Sequence, residues 1–103
     1  MARLLRVNMA GLTATYEDVP EFYQKWGGRG LTSMVTSREV PPTCHPLGPA
    51  NTLVFAPGIV SGTAAPTSGR ISIGGKSPLT GGIKETNSGG LASQKIARLG
   101  IKA

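Results

Sequence analysis

Leu4–Asn8 alternates apolar and polar side chains, the period-two pattern of a half-buried strand. Thr13–Val19 has the composition to pair with it across a turn near Ala10-Gly11. Pro20 then suits the first turn of a helix, with Glu21 close to the positive end of its dipole. Phe22, Tyr23 and Trp26 share one face of that helix, and Gly27-Gly28 predict its stop. A second helix is expected over about Leu31–Arg38, and Pro41-Pro42 prevents its continuation. Residues 41–51 hold four prolines and predict an irregular but ordered connection.

In the second half, Leu53-Val54-Phe55-Ala56 is a short apolar run ended by Pro57-Gly58, as in a buried strand. Ile71-Ser72-Ile73 alternates, Ser77–Gly82 reads as a turn, and Ile83–Thr86 returns as a strand. Leu91, Ala92, Lys95, Ile96 and Leu99 fall on one helical face, with Gly100 as the C-terminal stop. Ile101-Lys102-Ala103 looks like a strand interrupted as it begins, which predicts a truncated chain. The expected class is α+β, β-rich with short helices, and residues 1–103 form one partial domain without internal repeats.

Composition narrows what such a domain does. At 103 residues it is one small unit, and 39% hydrophobic content supports a folded core. One Cys excludes a disulfide framework and any multi-cysteine metal or iron–sulfur site built by this chain alone. One His beside it leaves too few side-chain ligands for a transition metal. No apolar run approaches the ~20 residues of a membrane span, and the arginines at positions 3 and 6 interrupt what would be a signal peptide. A cytoplasmic protein is the expectation. The net charge of +6 is uneven: residues 52–103 carry six basic and one acidic side chain, and 10 of the 15 glycines. Cations beside close-approach backbone suggest an anion, and phosphate is the commonest; a solvated basic face is the plainer alternative.

Nucleotide and catalytic motifs come close and fail. Arg70–Ser77, R-I-S-I-G-G-K-S, matches the phosphate-loop pattern except that Arg70 replaces the first glycine, and its middle is strand-like. Gly28-Arg29-Gly30 opens a dinucleotide fingerprint, but Ser33 stands at the third glycine and no strand precedes it. Cys44 and His45 are neighbours whose side chains point apart, and the five carboxylates show no acid–base spacing. No catalytic residue is assigned. Four of the five aromatics lie in the first half and most of the net positive charge in the second, so nucleic-acid binding by stacking is not expected. What remains is the glycine-rich stretch 58–90. Asn87-Ser88-Gly89-Gly90 precedes the last helix, whose unsatisfied N–H groups make an anion site, and Arg70 can fork onto a phosphate. Equally, Asn87 or Ser88 simply caps that helix while the glycines make turns.

The series Gly28-Arg29-Gly30-Leu31, Pro46-Leu47-Gly48-Pro49, Phe55-Ala56-Pro57-Gly58, Gly62-Thr63, Ala65–Arg70, Lys76–Gly81 and Asn87–Gly90 resembles, in order and nearly end to end, the N-terminal domain of the aldehyde ferredoxin oxidoreductase family. The resemblance implies the first half of a two-sheet domain that forms the base for a tungsten (or molybdenum) bis-pterin cofactor. By the same resemblance Arg70 contacts a pterin phosphate, and Asn87 offers its carbonyl to a bridging magnesium. Gly89 lets the backbone approach the cofactor, and Lys76 assists. The whole enzymes oxidise aldehydes to carboxylates and pass electrons through a 4Fe-4S cluster to ferredoxin. Four thiolates are needed for that cluster, so this chain alone is expected to be inactive and not to hold it. A complementing subunit or a homo-oligomer is a natural partner. Two alternatives stay open: a non-catalytic module that self-associates through Tyr23, Trp26 and the strand at Ile101, or a basic polyanion-binding protein.

Overall fold

A computed structural model describes residues 3–59, 61–64 and 69–103. The segment Ala65–Ser68 of the family pattern lies outside the described residues. Strands β1 (Arg3–Asn8) and β2 (Thr13–Asp18) form the expected hairpin, in register from Arg3↔Asp18 to Asn8↔Thr13. Its turn is held by Asn8 Oδ1, which accepts from the Ala10 and Gly11 amides at 3.1 Å, a local bond that short polar side chains favour. Residues 101–103 run parallel to β1 along its other edge. Arg3 N donates to Gly100 O at 2.7 Å, Lys102 N to Arg3 O at 2.8 Å, and Leu5 N to Ala103 O at 2.9 Å. The extended reading of these three residues therefore holds.

Helix α1 is one turn, Glu21–Gln24, and stops short of the expected Gly27. Tyr23 alone enters the core, 1% exposed, whereas Phe22 and Trp26 stay 46% and 44% exposed. The three aromatics thus do not form one buried face, and Tyr23 is no adhesive surface. The two glycines belong to the next helix instead: α2 spans Gly28–Glu39 with Gly27 as its N-cap, so Gly28-Arg29-Gly30 start a helix rather than end one. The element immediately before them is α1, not the strand that a dinucleotide fingerprint needs. Leu31, Thr32, Val35 and Thr36 are its buried stripe, at the i, i+4 spacing of a single face.

The second sheet has the order β3-β4-β5, all antiparallel, from β3 (Val54–Pro57), β4 (Ile71–Lys76) and β5 (Ile83–Ser88). Both later strands are longer than the alternation suggested, because ladder pairs Gly74↔Glu85, Gly75↔Lys84 and Ser72↔Asn87 extend them. Helix α2 lies across this sheet. It comes close because Gly74 has no side chain: a Cβ there would stand 3.0 Å from Thr32 Cβ. The core joins both sheets through α1 and α2, in Leu4, Tyr23, Leu31, Val35, Val54 and Ala56, with Val19, Met34 and Ala103 packed on it. Two small antiparallel sheets with short helices are the expected α+β, β-rich architecture.

Helix α3 (Ala92–Arg98) departs from expectation in two ways. Its apolar residues Leu91 and Leu99 are 67% and 72% exposed, while Ser93 is 1% exposed. Small residues face inward here, which allows close approach: a Cβ on Gly62 would stand 2.9 Å from Ala97 Cβ. Neither Asn87 nor Ser88 caps the helix, since both belong to β5 and Leu91 occupies the N-cap without a side-chain bond. Gly100 follows the last turn at φ 78°, the expected stop. Among the described residues no helix is long and apolar enough to cross a membrane.

Candidate anion-binding site

The ladder between β4 and β5 decides which candidate residues meet. Ile71 pairs with Ser88 and Ser72 with Asn87, so Arg70 and Gly89 lie one step beyond the last pair. Arg70, Asn87 and Gly89 therefore gather at one end of the sheet. The Arg70 side chain is exposed and makes no hydrogen bond or ion pair with any described residue. Among the described residues its carbonyl alone finds a partner, accepting from Gly58 N at 3.3 Å. Gly89 faces open space, with no atom within 4 Å of where its Cβ would be.

The same strand end is closed behind by glycine contact. A Cβ on Gly69 would stand 2.7 Å from Gly90 O and 3.2 Å from Gln94 Nε2. Backbone cannot yield to that contact as a flexible side chain can, so 69 and 90 come this close only because 69 is glycine. Gly69→Ala is expected to push the two segments apart, shifting the amide resonances of Gly89 and Gly90 while those of the β1–β2 hairpin stay in place.

Under the site lies a polar network that the sequence patterns did not bring out. Ser72 Oγ, in a residue 1% exposed, donates to Glu85 Oε1 at 2.8 Å and meets Thr32 Oγ1 at 3.3 Å. Thr32 Oγ1 in turn donates to Arg29 O at 3.1 Å, and Arg29 Nε reaches Glu85 Oε2 at 3.1 Å. The one advance signal was the alternation in β4, which puts Ser72 and Gly74 on the same face.

Lys76 is elsewhere. It ends β4, six residues from Arg70, or about 20 Å along the strand at ~3.4 Å per residue. Its ammonium donates to Pro42 O and to Cys44 O, each at 2.6 Å. Asn51 works beside it: Nδ2 donates to Pro46 O and Lys76 O, and Oδ1 accepts from the Lys76 and Thr52 amides. Together these side chains fasten the proline-rich connection to the sheet, which explains why residues 41–51 are ordered without regular structure. Two clefts of about 260 Å³ flank Lys76, and neither is lined by Arg70. His45 Nδ1 accepts from the Leu47 amide at 3.1 Å in a local turn, so the Cys44–His45 pair has no nucleophile–base geometry. Residues 71–76 are a strand, not a phosphate loop.

A third cluster ties the hairpin to the helices. Arg6 forks onto Glu39 at 2.7 and 3.2 Å and also meets Glu17 at 2.8 Å, while Tyr23 Oη donates to Glu39 Oε2 at 2.7 Å. The Arg6 hydrogen bonds hold the Glu39 carboxyl below its ordinary range. Burial, with the bond to Glu39, pushes the Tyr23 phenol up to about 12. This cluster has a closed set of partners and reads as structural.

The strand end thus offers a forked cation and open backbone, the chemistry of anion binding. Among the described residues no group of three or more His, Cys, Asp or Glu side chains is placed to hold a metal ion. The family description "aldehyde ferredoxin oxidoreductase, N-terminal domain" matches residues 4–103, so the chain belongs to the aldehyde ferredoxin oxidoreductase family. The tungsten-containing aldehyde ferredoxin oxidoreductase of Thermococcus kodakarensis is 46% identical over 103 residues, spanning 98% of this chain. The enzyme of that name from Pyrococcus furiosus is 42% identical over the same length. In each case the chain spans 17% of the relative. The active-site complex BamBC of benzoyl coenzyme A reductase, solved with 1,5-dienoyl-CoA, shares the fold at a TM-score of 0.91. It is 24% identical, over 98% of this chain and 16% of that one.

Proposed function

We propose that this chain is the first part of a pterin-cofactor-binding domain, and that Arg70, Asn87 and Gly89 hold the phosphate end of a tungsten (or molybdenum) bis-pterin. One observation carries the reading: Arg70, whose guanidinium bonds to no described residue, lies across from the open Gly89 one step beyond the last pair of the β4–β5 ladder. Whole-length similarity to enzymes named as tungsten-containing supports the cofactor class.

The residues present fit one phosphate. Arg70 supplies two parallel N–H donors, and the lack of a side chain at Gly89 leaves room for the anion against the backbone. Asn87, paired with Ser72 near the end of the ladder, would present its carbonyl to a magnesium bridging two such phosphates. When bound, the cofactor supplies the redox chemistry that oxidises an aldehyde to a carboxylate. The chain's own part is to bind, neutralise charge and fix orientation. Lys76 is left out of this set, because its ammonium is already spent on two loop carbonyls. The 4Fe-4S cluster does not fit this chain, since one Cys falls short of four thiolates. Electron transfer to ferredoxin would therefore need further protein, either more chain or a complementing subunit.

The test is the tungsten, molybdenum and pterin content of the chain purified without oxygen, against an Arg70→Ala control. Near-stoichiometric metal that falls to background in the control is the expected result. Equal metal in both would overturn the site. Absence from both would favour the second reading, a module that self-associates, which rests on Leu12, Leu47 and Leu79 being at least 80% exposed. Apparent mass in size-exclusion chromatography would then rise with concentration.

A further inference from the structure

We infer that Glu85 is a positioning residue for the strand end: linked to Ser72 and Arg29, it sets where the Asn87–Gly90 segment stands, and hence how well that segment receives a phosphate. The inference rests on the proposed anion site and adds to it residues that touch no ligand.

Glu85 and Asn87 are two apart on β5 and so project from the same face of the sheet. Ser72 is the ladder partner of Asn87, yet its hydroxyl reaches diagonally to Glu85 Oε1 at 2.8 Å. The second Glu85 oxygen takes Arg29 Nε, from the first turn of α2, at 3.1 Å. One carboxylate thereby joins β5, β4 and α2 two residues from Asn87 on the same face of the strand. The Glu85 side chain is 16% exposed, while that of Arg29 is 69% exposed. An ion pair with so exposed a partner adds little to folding stability. Its geometric effect is larger. β5 is the outer strand of its sheet, and Ser88 is the last residue that the ladder holds. Beyond it, Gly89 has no contact that a side chain would make, and Gly90 sits at φ 103°. The direction of this segment is set by the last ladder residues, Asn87 and Ser88, and by the contact of Gly90 with Gly69, and Glu85 anchors the strand that leads into it.

The experiment titrates magnesium pyrophosphate into the 103-residue chain, following the Gly89 and Gly90 amide resonances, with thermal melting run in parallel. Wild type should bind, and Arg70→Ala should lose binding. Glu85→Leu should weaken binding at least fivefold with its melting temperature close to wild type. Glu85→Gln keeps an oxygen to accept from Ser72, and should stay within about twofold of wild type. Ser72→Ala removes only the hydroxyl and should weaken binding in the same direction as Glu85→Leu, which secures the test should Glu85→Leu fail to fold. Wild-type affinity in both Glu85→Leu and Ser72→Ala, with Arg70→Ala still inactive, overturns the positioning role and leaves the anion site intact. Weakened binding that tracks a lower melting temperature marks a purely structural role and also overturns it. No binding by wild type, or equal binding by Arg70→Ala, overturns the anion site and this inference with it.

Discussion

Leu31→Ala should lower the unfolding free energy by about 2–5 kcal/mol, the range for emptying a fully buried leucine site. Leu31 is 0% exposed and belongs to the one cluster that joins Leu4 of the hairpin, Tyr23 of α1 and Val54 and Ala56 of β3. Its neighbours have little freedom to collapse into the space. On the same helix face, Thr32 is held at Gly74 and Ser72 by direct contact, so α2 cannot sink toward the sheet. Rigid surroundings push the cost toward the upper part of the range. Domains of this size have only about 5–15 kcal/mol in total, so the midpoint of urea unfolding should fall steeply with an unchanged slope. A cost below 1 kcal/mol would mean that the two sheets do not share this core. The chain would then behave as a hairpin and a separate three-stranded unit.

The sequence announced its elements more faithfully than their limits. The hairpin, the turn at Ser77–Gly82 and the strand pair around it were legible, because alternation and turn residues are local signals. Helix α1 ends sooner than its sequence predicts for a tertiary reason. Only Tyr23 finds room beneath Glu39, so Phe22 is left against Arg38, 3.9 Å from guanidinium carbon to ring centroid, and Trp26 covers Gly30. Gly27-Gly28 read as a stop since glycine ends many helices, but here Gly27 is needed for close packing against Ile59 and Gly28 for its φ of 54°. At the candidate site, Arg70, Asn87 and Gly89 were singled out from charge, glycine content and family likeness, and the ladder brings them together. Lys76 was grouped with them by nearness along the chain, yet an extended strand carries it to the opposite end. The Glu85–Arg29 link spans 56 positions, and no local pattern signals a contact at that range. Glycine spacing alone was equally silent on Gly69 meeting Gly90, because that contact follows from the β4–β5 register carried two residues past its last pair.

Glu39→Leu should cost about 1–3 kcal/mol, mainly by stranding the Tyr23 hydroxyl, a donor in a residue 1% exposed. Arg6 contributes less, since it keeps Glu17 and remains partly in water. That division has a sharp consequence. Tyr23→Phe should destabilise the wild-type protein by about 1 kcal/mol, yet restore stability in the Glu39→Leu background, where the hydroxyl has nothing to donate to. The two backgrounds should give opposite signs in urea unfolding, and the same sign in both would show that packing, not the hydrogen bond, governs the site. The cluster also predicts both limbs of the stability–pH curve. The Glu39 carboxyl is held below its ordinary 4.5 by Arg6, so its contribution is complete above that value and fades as acid protonates it in the folded state. The Tyr23 phenol moves the other way, from 10.0 up to about 12, chiefly through burial. Folding therefore favours its protonated form. That contribution is whole below pH 10 and is lost as the pH climbs toward 12. Tyr23→Phe should flatten the alkaline limb and leave most of the acid one, whereas Glu39→Leu should weaken the acid limb, so paired unfolding curves at the two extremes separate the phenol from the carboxylate.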